Sequence, residues 1–531
     1  MKPRYRFIPA PIVAFLAVAI GLTATAGTAA TGQAGDRALR ITLLSTTDLH
    51  AALTTADVDR ATVKPYGGAA VVAAYIEKYR ATNPGGTLVL DAGDAMQGAM
   101  TSNLFYGKPV IEIMNAVGYD AMAIGNHEFD WGVARLRERV ADARFPFLSA
   151  NIFEKTSGKR PAWAEPYTIL ERHGLRVGVI GATTVEAPYV VLPEHIKDFA
   201  FRAPAPIIND LARELRANGA ALVILLAHEG GSMTADGAIA GPIADLAKAV
   251  TGVDAVIGGH SHASLAGKVN GIPVVSAYYR GRSLGWIELH YNPDAKRVIR
   301  SDQRCIKALA GEVAPDPIVA AIVDKYETAV APLKNEAIGR VKVDLRRNYE
   351  GESSLGNLIA DIMRAAAGTD FAFTNAGGIR ADLEAGEITV GQIYEVMPFD
   401  NTLVTMVLTG AQVKEVLEAG ATLFKGMVQL SGLEFAYDPR QPAGNRVTRM
   451  TFPEGTPIDP HKTYTVVTND FMAAGGDNFA VFASGSEVVD TRRLLRDEII
   501  AWLRAETAAG RVVDASIEGR ITVQSLGAGR L

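Results

Sequence analysis

The chain has 531 residues, 48% of them hydrophobic and 21% charged, which is enough apolar material for two or more cores rather than one. Its formal net charge is -5 and its isoelectric point lies near 6.1. No block of Lys and Arg tracks a phosphate backbone, so a nucleic-acid polymer is excluded as the expected partner, whereas an anionic small molecule stays open because bound metals supply charge that composition does not show.

Residues 1–30 read as a secretory signal. Lys2, Arg4 and Arg6 form a basic start, Ile8 to Leu22 is mostly apolar, and small residues follow with cleavage points after Ala26 or Ala30. A membrane anchor is the competing reading, but the stretch is short and broken by Pro9 and Pro11. No twin arginine precedes it and no cysteine lies near its end, which counts against Tat export and lipid anchoring. The expectation is a periplasmic or secreted protein with no stable membrane span after cleavage. Cys305 is the only cysteine, so no internal disulfide forms, and it is read as structural.

From Arg40 to about Gln303, short apolar runs alternate with helical stretches, the pattern of a layered α/β fold. Strands are predicted at Ile41–Ser45, Thr87–Leu90, Ala121–Ile124, Leu222–Leu226 and Val256–Ile257. Polar residues follow each one: Asp48 and His50, then Asp94, then Asn126 and His127, then His228, then His260 and His262. Ligands in α/β sheets collect beyond the carboxyl ends of strands, so these five segments are expected to converge on one pocket. A two-residue step in Asp48/His50 and His260/His262 would put both side chains on one face of an extended segment.

Pro315-Asp316-Pro317 gives a helix cap followed by a proline in the first turn, and Ile318/Ile322 and Val319/Val323 recur at helical spacing until Pro332 stops the run. After Ala337 a second α/β unit begins, with strands at Phe371–Thr374 and Thr402–Leu408. Thr409 caps a helix presenting Val413, Val416 and Leu417 on one face. The tail Ser525–Leu531 is expected to fray, and no internal repeat is present. The expected limits are 1–30 for the signal, 38–310 for the first domain, 315–335 for the linking helix and 336–525 for the second domain.

Any one of the strand-end histidines reads most simply as a satisfied core residue. Five of nine histidines beside two aspartates and an asparagine are another matter. Imidazole and carboxylate in this mixture suit two Zn, Mn, Co or Fe ions sharing a carboxylate.

The spellings Asp48-Leu49-His50, Gly93-Asp94, Gly125-Asn126-His127-Glu128, the lone His228 and Gly259-His260-Ser261-His262 resemble, in that order, the calcineurin-like metallophosphoesterase superfamily. The resemblance implies one metal on Asp48, His50, Asp94 and His262, and a second on Asp94, Asn126, His228 and His260. It further implies a hydroxide bridging the two that attacks phosphorus, with His127, oriented by Asp130, aiding the departing oxygen beside Asn126. Local capping is the plainer role for Asp130. The stretch after Asp94 lacks the tyrosine of purple acid phosphatases, and its Gln97-Gly98 ending resembles the exported 5'-nucleotidases instead.

That likeness extends through Glu352–Leu358, Asn375–Arg380, Pro398–Asn401 and Gly475–Phe479. It implies an N-terminal β-sandwich flanked by helices (αββα), a linking helix and a C-terminal α/β substrate domain. In that domain Asn375 and Arg380 would face the phosphate or sugar, Phe471 would stack on the base, and Asp477 would bond the ribose or line its pocket. Two positions depart from the pattern. Met427 stands where a second clamp aromatic is expected, and Gly351 where an arginine is expected, with Arg346 or Arg347 nearby to restore charge.

The implied activity is hydrolysis of nucleoside 5'-monophosphates. Cleavage of 2',3'-cyclic nucleotides or UDP-sugars, or of a thiosulfonate as in some relatives, uses the same site. A non-catalytic exported binding protein is the alternative of another class. A purely structural role leaves the polar strand ends unexplained.

Overall fold

The five expected strands form, as Leu39–Thr46, Thr87–Asp91, Ala121–Ala123, Leu222–His228 and Ala255–Gly258. The computed structural model describes residues 38–54, 57–59 and 62–524, so the expected signal segment and the tail 525–531 lie outside the described residues.

The first three strands belong to one six-stranded sheet, ordered 297–307, 283–292, 39–46, 87–91, 121–123 and 147–148. The other two belong to a second, ordered 264–269, 272–277, 255–258, 222–228, 175–183 and 167–172. Side chains alternate across a strand. Ile41 and Leu43 therefore face inward, with Leu88 and Leu90, against Val177, Val179, Leu222, Ile224 and Leu226 of the other sheet. Leu44 and Val89 point the opposite way, onto helices Ala69–Arg80 and Lys108–Val117. On the far side Val223 and Leu225 pack on helices Pro204–Ala217 and Pro242–Ala249. Helix, sheet, sheet, helix is the expected αββα order. Parallel pairing at the centre of each sheet brings the strand carboxyl ends to one rim.

The linking helix runs Pro317–Lys334, with the Asp316 carboxylate accepting from the Ile318 and Val319 amides. Contrary to expectation, Pro332 does not stop it, and the helix continues to Lys334. A proline forfeits one backbone hydrogen bond, and with only two residues remaining that loss falls on the last turn. Val319, Val323, Tyr326 and Val330 are buried, whereas Ile318 is exposed. Replacing Asp316 with alanine is expected to cost about 1 kcal/mol, read as a lower thermal midpoint.

The second half holds a five-stranded sheet ordered 429–431, 371–374, 463–469, 402–409 and 486–494, beside a three-stranded one ordered 447–451, 434–437 and 521–523. Ser353 caps helix Ser354–Ala367 by accepting from the Gly356 amide. Thr409 and Gln412 cap helix Gly410–Gly420 reciprocally, and its Val413, Val416 and Leu417 are buried as the spacing required.

Candidate metal centre

All the strand-end residues meet at the common rim. Asp48, His50 and His262 form one group whose ligand atoms lie within 4.8 Å of one another, and Asp94, His228 and His260 form a second. His50, Asp94 and His127 form a third group at the same spacing, which joins the other two into one centre. Asn126 is buried beside them, with its Oδ1 lacking a hydrogen-bond partner.

The convergence does not come from extended segments, as the two-residue spacing suggested. Asp48, His50, Asp94, His260 and His262 all have φ between 44° and 70°. This left-handed backbone costs side-chain-bearing residues about 1–3 kcal/mol each and persists only where the surroundings dictate it. Here the surroundings are specific. The buried Glu128 carboxylate accepts from the amides of Asp94, Ala95 and Gly125 at 2.8, 2.9 and 2.8 Å, pinning two of the loops together. The His260 amide donates to Asp48 Oδ1 at 3.0 Å, and the Thr47 hydroxyl donates to Asp48 Oδ2 at 2.6 Å. Gly98 approaches so closely that a Cβ there would lie 2.2 Å from the His50 carbonyl oxygen. Glu128 stood in the motif without an assigned role, and only three converging backbone donors reveal what it does.

The donor set fits a pair of cations. His228 Nδ1 faces the Ala92 carbonyl at 2.8 Å; since a carbonyl only accepts, Nδ1 carries a proton and Nε2 is the nitrogen turned to the centre. That Nε2 is buried without a hydrogen bond, yet lies 3.0 Å from Asp94 Oδ2. Burial pushes His228 down, but Asp94 carries it up to about 10, so positive charge is favoured between the two. His50 Nδ1 likewise faces the Gln97 carbonyl at 3.0 Å, leaving its Nε2 2.9 Å from the Nε2 of His262. Two imidazole nitrogens that would hold one cation at about 2.1 Å stand about 3–3.4 Å apart, close to this spacing. Burial holds both His50 and His262 well below the ordinary value, in the neutral, ligating form. Tyr279 stacks on His262 at 4.8 Å and fixes its plane.

His127 stands apart from these pairs. Its Nδ1 donates to Asp130 Oδ2 at 2.8 Å, and its Nε2 lies 3.9 Å from Asp94 Oδ2. Burial opposes its charge, but Asp130 and Asp94 outweigh burial and raise it. The expected His-Asp pair is therefore formed, across a three-ten turn at His127–Phe129. Phe399, from the second half of the chain, stacks on the imidazole at 5.6 Å.

A cavity of about 1440 Å³ extends from the metal residues to the second domain. Arg380 lines it, with its charge felt at His50, His262 and His127. Arg347 lines it too, whereas Arg346 is taken up by Asp344 and Glu384. Phe471 is half-buried on the cavity wall, its ring against Gly476, where a Cβ would lie 2.4 Å away. Asn375 and Asp477 are also on the wall, but the Asn375 amide donates to Asp477 at 2.7 Å and its oxygen accepts from Asn469 at 3.1 Å. Asn375 thus holds Asp477, which burial pushes up to about 6.

Met427 is placed otherwise than expected. It is 0% exposed, sits in the domain core and does not line the cavity. Its amide donates to the Tyr349 carbonyl at 2.8 Å and its side chain joins Val428 and Leu430 in the core, while the preceding residues 423–426 line the cavity. Phe424, three residues earlier, lines the cavity and is 48% exposed. No sequence signal marks Phe424, because the family pattern puts the second ring just before Gln429, where Met427 stands, and Phe399 falls within Pro398–Asn401 with no role implied.

Residues 41–264 match the family model for calcineurin-like phosphoesterase, and residues 330–484 match that for the 5'-nucleotidase C-terminal domain. The chain is 32% identical to endonuclease YhcR of Bacillus subtilis over 77% of its own length, but spans only 34% of that protein. It is 31% identical to the snake venom 5'-nucleotidase of Crotalus adamanteus, over 91% of this chain and 88% of that one. The crystal structure of the 5'-nucleotidase precursor from Thermus thermophilus superposes with a TM-score of 0.81 at 32% identity, covering 92% of this chain and 100% of that one. Likeness that runs the length of both proteins, rather than along one domain, makes the chain a member of the 5'-nucleotidase family, whose N-terminal half is a calcineurin-like phosphoesterase.

Proposed function

We propose that the chain hydrolyses nucleoside 5'-monophosphates to nucleoside and phosphate, within the metal-dependent phosphoester hydrolysis of its family. The observation that carries this reading is the pairing of two donor groups, beside His127, with an aromatic and arginine-lined wall from the second domain across one cavity. Asp48, His50, Asp94 and His262 would hold one divalent ion, and Asp94, Asn126, His228 and His260 the other. Zn, Mn and Co all accept such ligands. A bound pair supplies Lewis acidity toward a phosphoryl oxygen and lowers the pKa of water at the site. The chain's own groups do the rest. Arg380, with Arg347 behind it, offsets the charge of the phosphate. His127, kept in one tautomer by Asp130, gives its Nε2 proton to the departing oxygen. Phe471 takes one face of the base, and Phe424 supplies the second ring that Met427 cannot. Asp477, held by Asn375, faces the sugar.

The cavity exceeds the ~300–1,000 Å³ of ordinary small-molecule sites, which supports UDP-sugars or 2',3'-cyclic nucleotides as a second substrate class. Domain limits near 38–310 and 336–525, with the helix between, belong to this proposal, as does export directed by residues 1–30. Among the described residues no helix is long and apolar enough to cross a membrane.

The test is phosphate release with added Mn or Zn from AMP, a 2',3'-cyclic nucleotide, UDP-glucose and ribose 5-phosphate, with products resolved by chromatography. AMP is expected to be preferred. Phe424→Ala and Phe471→Ala are each expected to raise its KM about 2- to 10-fold, matching ~0.5–1.5 kcal/mol per ring, and to leave ribose 5-phosphate unchanged. Equal turnover of ribose 5-phosphate would remove base recognition and leave a general phosphatase.

A further inference from the structure

His260 has one ring nitrogen to spare. Its Nε2 lies 3.2 Å from Glu186 Oε2, and a carboxylate only accepts, so Nε2 carries the proton and Nδ1 keeps the lone pair; the residue shares one donor group with Asp94 and His228. Glu186 is neither in a ligand motif nor on a strand end. It stands at the start of the short helix Ala187–Val190, beyond strand Leu175–Thr183. The same Oε2 accepts from Lys425 Nζ. Lys425 comes from the other half of the chain, in the loop between helix Gly410–Gly420 and strand Gln429–Ser431, next to the cavity-lining Phe424. A single carboxylate oxygen is thus shared by a metal-facing imidazole of the first domain and a cation of the second. The side chains of Glu186 and Lys425 are 32% and 26% exposed, so water screens the pair only in part. An ordinary interdomain ion pair would use the free carboxylate oxygen as readily. Sharing one oxygen with His260 ties the two contacts to each other.

We propose that Glu186 is a positioning residue for His260, and that Lys425, by holding Glu186, makes affinity at the second metal position depend on the docking of the second domain. The inference rests on the metal-centre reading above. A hydrogen-bonded carboxylate behind a ligating imidazole fixes its tautomer and orientation, and loss of such a partner costs about 10- to 100-fold in metal affinity. A contact made only when the domains meet couples that affinity to their docking, and the coupling is reciprocal.

The experiment is titration calorimetry of Mn²⁺ into the metal-stripped full chain, comparing wild type with Glu186→Ala, Glu186→Gln and Lys425→Met. Wild type is expected to bind two ions. Glu186→Ala weakens one of the two about 10- to 100-fold and spares the other. Glu186→Gln, whose amide oxygen still accepts from Nε2, stays within about threefold of wild type. Lys425→Met, which leaves every ligand and Glu186 in place, weakens the same ion about 5-fold or more. It also carries the test should Glu186→Ala fail to fold. Mn²⁺ affinities within about twofold of wild type at both positions in Glu186→Ala, well short of the 10- to 100-fold loss expected, would overturn the positioning role. Unchanged affinities in Lys425→Met would overturn the interdomain coupling. A wild-type chain that binds no Mn²⁺ would instead sink the metal-centre reading itself.

Discussion

Asp94→Ala is expected to lose both metal ions and to bring phosphate release to background, a fall of about 10³-fold or more, in line with the several kcal/mol that bound metals supply. The size of the effect follows from position. Asp94 is buried, its Oδ2 lies 3.0 Å from His228 Nε2, and its Oδ1 accepts from the His127 amide at 2.8 Å. Among the described residues it is the carboxylate common to two donor groups, with His50 and His127 in one and His228 and His260 in the other, so its loss strips both of charge at once. Metal content by mass spectrometry, alongside kcat and the circular dichroism of the variant, checks this. A folded Asp94→Ala protein that still holds two ions would refute the shared-ligand reading.

His127→Ala should lower kcat on AMP by about 10²–10⁴-fold, the usual range for a general acid, with both metals retained. The imidazole bonds Asp130 and stacks on Phe399 but is not among the expected ligands, so removing it leaves those ligands in place. Leaving-group chemistry separates this role from a structural one. A ribose 5'-oxygen departs as a strongly basic alkoxide unless it is protonated, whereas the oxygen of a p-nitrophenyl ester departs unaided. The variant is therefore expected to lose far less activity on p-nitrophenyl phosphate than on AMP. Equal losses on both substrates would mean that His127 supports the centre rather than protonating the leaving group.

The site was unusually legible because its chemistry sits at strand ends. A run such as Leu222–His228, apolar throughout and then polar, can be read without any contact information, since a strand buried on both faces must be apolar until it emerges. The same logic located Asp48, Asp94 and Asn126. The His127–Asp130 pair was legible because it is local, three residues apart on one turn. Residues that act across the chain left no such mark. Glu186 lies 74 positions from His260 and 239 from Lys425, and no periodicity or spacing links them.

Backbone conformation marks the same boundary. Asp48/His50 and His260/His262 do meet at one centre, yet through left-handed backbone and not through the extended segments that their spacing suggests. Left-handed φ at those residues is held by Thr47, by the Asp48 carboxylate under the His260 amide and by the Gly93 and Asp94 carbonyls, groups that meet only in the folded protein. Met427 carries the lesson furthest. It is apolar and its place in the family pattern points to the cavity, but its amide bonds the distant Tyr349 carbonyl and its side chain packs with Val428 and Leu430 in the core, which leaves Phe424 on the wall. By itself the sequence determined which residues gather at the strand ends and which segments form strands and helices, because both follow from local composition and period. Only the tertiary structure decided which way each loop side chain points and which partners from the other domain meet it, because those outcomes depend on long-range packing that no local pattern encodes.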